Sequence, residues 1–555
     1  MEYGSGINGL IKTQCRNALH VFWEKTMTFI EISFFIFLFA VFIVFYLCPV
    51  KHRWLVLLGA SIVFYAIAGV KYLPFIFVTS FTVFLAGRKM GRIYEEMEQK
   101  IAETEPDRKQ KKEMKEQAKQ RSKKVMLAAL LFNLAILIIV KFTKFAVNPI
   151  NDLLVAMGRE GNFSASFIIV PLGISYYTFS CLSYLLDVYW KREDYEKNYA
   201  RFLLYAIYFP HILQGPIERY GKLGKRLKGE FLFDYDRICS GLQLMVWGIF
   251  KKLVIADRIN LFTTEVYKAN SNAAGIIYIL AFFLDVVYIY ADFSGCMDIA
   301  RGASDIFGVE LDLNFNHPFS SKSVTEFWRR WHMSLGSWFK DYVYYPISTS
   351  KFVKNVAKSC KKKLPDAVTR SIVTAIPVTI TWVSTGLWHG TGVTYLAWGL
   401  YYAFMIFMSV SFGDMMHGLA LKLKINTECW SYKVFQMVRT TCIFAGGRLL
   451  TRPGTLSASW HALKSAVLNF NPWVLSDGTL YEFGLNEKNF HLMLVTIVLF
   501  GVVSILQQRG SVRAMIAKQN LAVRWAIYFV AIFFILIFGI YGAGYDAASF
   551  VYMAY

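Results

Sequence analysis

Acidic residues are scarce in this 555-residue chain: 38 Asp and Glu stand against 60 Lys and Arg, a formal net charge of +22. Over long stretches charge is missing altogether. Ile32–Cys48, Trp54–Val70, Tyr72–Gly87, Val125–Val140, Phe163–Leu186, Ser371–Trp388, Thr391–Gly413, Phe490–Gln507 and Trp525–Tyr541 contain no Asp, Glu, Lys or Arg. A chain that is 55% hydrophobic with its charge withheld this way is not an ordinary soluble protein. The eight cysteines are scattered, with no CxxC pair and no His/Cys cluster, so neither a disulfide framework nor a zinc or other metal site is expected. The first 26 residues lack the apolar core and cleavage site of a signal peptide. They read as an N-terminal extension, 1–26, suited to the membrane interface, with Met27 as an alternative start. No internal repeat is visible, which disfavours transporter folds built from two related halves.

What is present is a series of segments able to cross a hydrocarbon core about 30 Å thick. With weaker candidates at 202–217, 238–256, 274–291 and 433–449, about a dozen membrane helices are expected, some of them re-entrant or interfacial. The fold class is therefore all-α integral membrane, with 27–555 one multi-pass unit whose helices 414–555 follow the polar segment 285–413. The basic excess belongs to loops rather than to a nucleic-acid footprint. Arg88–Lys124 carries 13 Lys/Arg against 8 acidic residues, and Lys351–Arg370 seven against one. If the first three apolar blocks each span, Lys51, Arg53 and the loop 88–124 share the cytoplasmic side. That loop reads as a solvated helix or a flexible excursion.

Two histidines lie in this apolar context. His332 sits in Glu326-Phe-Trp-Arg-Arg-Trp-His-Met-Ser-Leu-Gly-Ser-Trp-Phe-Lys-Asp341, and His389 in Thr385-Gly-Leu-Trp-His-Gly-Thr-Gly392. Ionisable groups at membrane depth mark pathways or reaction sites, and imidazole suits proton transfer near neutral pH. Read as one helix, 326–342 places Trp328, Trp331, Leu335, Trp338 and Tyr342 on one stripe, with His332 at an apolar–polar border one turn after Arg329. Arg330, Ser334 and Asp341 occupy the other border. An interfacial helix anchored by Trp and Arg has this pattern. A re-entrant helix lining an aqueous funnel accounts better for three Trp, two Arg and a His within eleven residues. Ser371–Gly413 is about twice the core thickness, so it must break, and Gly386, Gly390 and Gly392 around His389 mark the place. Asp285, Asp292 and Asp298 lie in or beside another apolar run. Asp298 has Arg301 three residues on, and any of these carboxylates could orient a histidine.

These motifs resemble the membrane-bound O-acyltransferase (MBOAT) family. The resemblance rests on Asn314-Phe-Asn-His-Pro-Phe, on Glu326 to Ile347, on Gly386-Leu-Trp-His389-Gly, on Pro171 to Phe179 and on Phe209-Pro-His-Ile-Leu-Gln-Gly-Pro-Ile217. Gly248-Ile-Phe-Lys-Lys252 with Ala256-Asp-Arg258, and Tyr290-Ala-Asp-Phe-Ser-Gly295, extend it. It covers about Met27 to Gly413 and is nearest the bacterial branch that includes the alginate O-acetylation membrane subunit and the teichoic-acid D-alanyl transfer protein. The resemblance implies tilted helices ringed around a central tunnel, His389 catalytic and His332 its polar companion. It implies no tightly bound cofactor, and acetyl-CoA, another acyl-CoA or an acyl-carrier protein as thioester donor on the cytoplasmic side. The acceptor is an extracytoplasmic glycan or a partner acetyltransferase, the setting a bacterial cytoplasmic (inner) membrane and its lipid; no nucleic acid is involved. Trp328, Arg329, Arg330, Asp341 and Trp388 are the candidate substrate-contacting residues, with Arg329 able to offset oxyanion charge. After Pro346-Ile347 the chain reads Ser348-Thr-Ser-Lys351 where the polysaccharide branch has a Gly-Gly-x-Arg turn. Met333-Ser334 and Cys360-Lys-Lys-Lys363 are closer to the D-alanyl branch. The terminal Phe550-Val-Tyr-Met-Ala-Tyr555 resembles an aromatic tail associated with partner contact. D-alanyl transfer from a carrier protein, and a proton-coupled transporter or flippase, are the alternatives.

Overall fold

The computed structural model describes residues 28–157, 164 and 169–541; the extension 1–26, Met27 and the tail 550–555 lie outside them. The described residues form helices and no strands. Among them, eight helical runs are long and apolar enough to cross a membrane, and Ile32–Leu47 is a shorter apolar helix. Val50–Thr104 counts as one such run but holds two helices, Arg53–Gly69 and Leu73–Thr104, parted where Gly69 adopts φ 152°. The weaker candidates 238–256 and 274–291 belong to full spans, Tyr235–Val266 and Ile276–Asp305. By contrast, 202–217 is no single span: Tyr199–Ile207 and Phe209–Ile212 part at Tyr208. Both short helices, and Ile174–Tyr189 beside them, are almost wholly buried. They form protein core. Burial separates inner from outer members, since 61% of the apolar window of Ile276–Asp305 is covered against 6% for Leu521–Phe538.

Ile276–Asp305 is the axis. The run Tyr235–Val266 crosses it at paired glycines. A Cβ on Gly302 would lie 2.4 Å from the Gly241 carbonyl oxygen, and one on Gly248 would lie 2.6 Å from that of Gly295. Small residues at both crossings let the backbones touch, as in membrane helix pairs generally. The approach brings consecutive lysines into the protein from the π-helical turn Phe250–Ala256. Lys252 Nζ lies 2.7 Å from Asp292 and 2.8 Å from Asp257, and Lys251 Nζ 2.7 Å from Asp298. The expected Asp298–Arg301 pair is present but long, at 3.9 Å.

The charged segment 88–124 is a solvated helical hairpin, the extended ends of Leu73–Thr104 and Arg108–Ala156. Tyr94, Met97 and Ala118 pack between its arms, and Glu98 ties it to Lys191 at 2.6 Å. Ser371–Gly413 breaks where expected. Asp366–His389 ends at His389, residues 390–392 turn, and Val393–Lys422 returns. Gly386 serves the pairing of these two helices rather than the break, because a Cβ there would meet the Tyr395 carbonyl oxygen at 2.4 Å. The reading of 326–342 as one helix is corrected. Val324–Arg330 and Met333–Phe339 are separate, with His332 between them at φ 45°, ψ 53°.

Replacing Gly302 by Leu should destabilise the detergent-solubilised protein by more than the ~1–3 kcal/mol typical of overpacking, because backbone rather than a yielding side chain blocks the new atoms. Gly501→Leu, on a helix where nothing lies within 4 Å, is the control. Equal thermal midpoints for the two variants would contradict the crossing.

Candidate active site

The axis helix serves as a ruler. Its Asp305 end shares a side with the charged hairpin, because Lys191 pairs with Glu98, Lys225 with Glu193, and Arg226 with Asp312 just beyond Asp305. Its Ile276 end is opposite. At 1.5 Å per residue, Phe293 stands about 18 Å from the hairpin end, Ile289 about 24 Å and Asp285 about 30 Å. His332 packs edge-on to Phe293, ring centroids 4.8 Å apart, and His389 shares a cavity with Ile289. The two imidazoles are 6.3 Å apart, centroid to centroid. Along the axis helix, His332 therefore lies at the level of Phe293 and His389 near that of Ile289, about one turn farther from the hairpin end.

His332 is held by local geometry that its neighbours over-determine. The left-handed backbone of a non-glycine residue costs of order 1–3 kcal/mol and persists only when pinned. Here Met333 N–H donates to the Asn314 carbonyl at 2.9 Å, Asn316 N–H to the Arg330 carbonyl at 2.9 Å, and Gly336 N–H to the His332 carbonyl at 3.0 Å. Asn314 also fixes the ring. Its Oδ1 accepts from Ser334 N–H at 3.0 Å, a group that can only donate, so this atom is the amide oxygen. The Nδ1 of His332, 3.2 Å from the same oxygen, is therefore the protonated nitrogen of the neutral ring. Nε2 is left as the ring's acceptor. Asp292 and Asp298 are committed to the lysines, and Asp285 accepts from Arg448 at 2.9 and 3.3 Å.

His389 ends its helix between indoles, with Trp388 at 4.9 Å and Trp398 at 5.1 Å between centroids. Trp388 bridges the pair, since its ring also lies 5.9 Å from His332. Its carbonyl, at a helix C-terminus where intrahelical donors run out, accepts from Lys141 Nζ. The cavity that His389 lines is small, about 30 Å³, and is walled by Trp328, Trp331, Trp398, Tyr395 and Phe444, with Arg448 and Thr451 also lining it.

The structure sorts the sequence candidates. His332, His389, Trp328 and Trp388 come together. The indole N–H groups of Trp328 and Trp388 are buried with no acceptor among the described residues, which marks them as donors with an unassigned partner. Arg329 is exposed, because the chain break at His332 turns it away from the imidazole that a continuous helix would have set beside it. Arg330 pairs with Glu326 at 2.7 Å and Asp341 with Arg219 at 3.2 Å. Asn314, Lys141 and Arg448 were missed. Lys141, closing a charge-free block, carried the one usable signal.

A family model described as MBOAT, membrane-bound O-acyltransferase family, matches residues 191–359, a span that includes His332. "Probable alginate O-acetylase AlgI" of Pseudomonas syringae pv. tomato is 28% identical over 84% of this chain and 80% of its own length. "Peptidoglycan O-acetyltransferase" of Helicobacter pylori is 28% identical over 67% of this chain and 63% of its own. "Teichoic acid D-alanyltransferase" of Bacillus subtilis is 31% identical over a smaller share, 42% of this chain and 58% of its own.

Asn314→Ala would leave the Ser334 N–H, the Ser334 hydroxyl and the His332 Nδ1–H without their shared acceptor. Each unsatisfied buried donor costs about 1–3 kcal/mol, so a lowered thermal midpoint in detergent is expected. Asn314→Asp, which keeps an oxygen in place, should retain most of it; an unchanged midpoint for the alanine variant would overturn the assignment.

Proposed function

We propose that this chain, a member of the membrane-bound O-acyltransferase family, uses its two neighbouring imidazoles to transfer an acyl group, most simply acetyl, across a bacterial inner membrane. The donor is a thioester such as acetyl-CoA on the hairpin side, whose basic excess makes it cytosolic and suits an anionic carrier. The acceptor is a hydroxyl on the far side, on an extracytoplasmic glycan or on a partner enzyme that passes the group on. The observation carrying this reading is the order along the axis helix: hairpin, His332, His389, cavity, far side.

His389 takes the proton of the acceptor hydroxyl as its oxygen attacks the thioester carbonyl carbon, a contribution of about 10²–10⁴-fold. The carbon–sulfur bond then breaks, and the thiolate leaves with the proton returned by His389. Charge on the carbonyl oxygen in between meets the indole N–H groups of Trp388 and Trp328, both buried. Arg329 has no part in this. His332, its Nδ1–H committed to Asn314, cannot donate to the acyl carbonyl while neutral. Its Nε2 is a proton acceptor, and the imidazole it packs near is His389. Membership of an acyltransferase family displaces the transporter reading. D-alanyl transfer retains support from the 31% identity to a D-alanyltransferase, but over half as much of the chain as the acetylase match covers.

His389→Ala should abolish esterification of the surface polymer, read by mass analysis of released acids, with membrane abundance unchanged. His332→Ala should lower it at least tenfold. Acetate among the released acids supports acetyl transfer, and D-alanine the alternative. Esterification persisting in His389→Ala would refute the catalytic assignment.

A further inference from the structure

One charged side chain beside the site has no part in the chemistry above. Lys141 closes the charge-free block 125–140 of the helix Arg108–Ala156, and helical rise puts it about 26 Å beyond Lys124 of the solvated hairpin. Lysines at membrane depth are ordinarily paired with acids, as Lys251 is with Asp298 and Lys252 with Asp292. Among the described residues no carboxylate pairs with Lys141. Its Nζ donates to the Trp388 carbonyl and lies 5.7 Å from the centroid of the Trp388 ring. One cation therefore holds both the backbone and the indole of the residue before His389. That carbonyl needs a donor from outside, because Asp366–His389 ends at the next residue. Gly390 N–H closes the final turn onto the Gly386 carbonyl at 3.1 Å, and residues 390–392 then leave the helix. A cation at a helix C-terminus also meets the negative end of its dipole.

Resting on the acyltransferase reading, we propose that Lys141 is a positioning residue for the transfer: by gripping Trp388 it fixes the last turn of Asp366–His389 and so aims the His389 ring at the acceptor hydroxyl. Lys141 touches neither substrate, and no bond is made or broken at it. The Trp388 indole has apolar walls of its own, Tyr176 at 5.4 Å and Phe179 at 5.9 Å between centroids, but a wall of rings cannot hold a carbonyl. Release of that turn would move the base, and a displacement of about 1 Å costs about 10²-fold in rate. An ammonium suits the task because it only donates, and so does not compete with His389 for the hydroxyl proton. A carboxylate opposite it would draw Nζ off the carbonyl, which gives the missing acid a physical reason.

The test uses the purified full chain in detergent and compares wild type, Lys141→Met, Lys141→Arg and, as control, Lys124→Met on the exposed part of the same helix. Hydrogen–deuterium exchange over peptides covering 386–392, read by mass spectrometry, reports the turn. Acetyl transfer from acetyl-CoA to glycerol reports the chemistry. Lys141→Met should exchange at least tenfold faster over 386–392 and lower kcat at least tenfold, with KM for acetyl-CoA within about twofold. Lys141→Arg, which keeps a donor and the charge, should bring both readouts to within about threefold of wild type, and Lys124→Met should match wild type. Should the methionine variant fail to fold, Lys141→Gln, neutral and shorter, should move both readouts at least threefold in the same directions. Unchanged exchange over 386–392, a wild-type kcat, or a loss carried by KM rather than kcat overturns the inference. Faster exchange in a protein whose wild type transfers no acetyl group, in cells or in detergent, would refute the proposed reaction and leave Lys141's hold on the turn standing.

Discussion

Charge in a membrane helix is tolerated only when the protein supplies its partner, and the axis helix Ile276–Asp305 carries three acids within it besides Asp305 at its end. Asp285 is met by Arg448 and Arg452, Asp292 by Lys252, and Asp298 by Lys251. Removing one member of a buried pair costs about 3–5 kcal/mol, so each pair dictates where its donor helix must sit. The lysines reach inward because glycine faces glycine at Gly241–Gly302 and Gly248–Gly295. Arg448 comes from Trp430–Thr451 and Arg452 caps that helix. Helices that would otherwise slide in lipid, with no hydrophobic gain to fix their register, are locked at three heights.

That register places the chemistry. Between the Asp285 and Asp292 heights the axis presents Ile289, against the cavity of His389, and just past Asp292 it presents Phe293, against His332. Neither imidazole is on the axis. Each is delivered by a chain break, one at the left-handed His332 between two short helices, the other at the end of Asp366–His389. Broken backbone at this depth needs internal hydrogen bonds, and Asn314 provides them on the His332 side while also setting its tautomer. A helical histidine would sit on a stripe shared with its neighbours; a histidine at a break can be aimed separately.

Spans were legible in the sequence because absence of charge is a one-dimensional signal, and so was the break at Gly390–Gly392, because Ser371–Gly413 is too long for one crossing. His332 and His389 stood out for the same reason. What periodicity could not show was the break at His332 itself, since Trp328, Trp331, Leu335 and Trp338 keep helical spacing across it. The wheel therefore set Arg329 beside a ring it does not approach. Asn314 shows no role from its motif alone, because an amide that accepts three hydrogen bonds looks in sequence like any loop asparagine. In sequence Asp292 and Asp298 are possible supports for histidine; in the fold their partners are Lys252 and Lys251. Pairing across 40 residues is set by the glycine crossing, which leaves no pattern along either helix alone.

The central claim is that the imidazole pair joins a cytosolic donor to an acceptor on the opposite face. It is tested most directly in sealed vesicles reconstituted with the full chain, with radiolabelled acetyl-CoA on the hairpin side only and a membrane-impermeant hydroxyl acceptor on the other. Labelled ester on the far-side acceptor, lost with His389→Ala while the vesicles stay sealed, is the predicted result. Label appearing only on acceptors that share the donor's side, or passing equally through the His389→Ala protein, would contradict it.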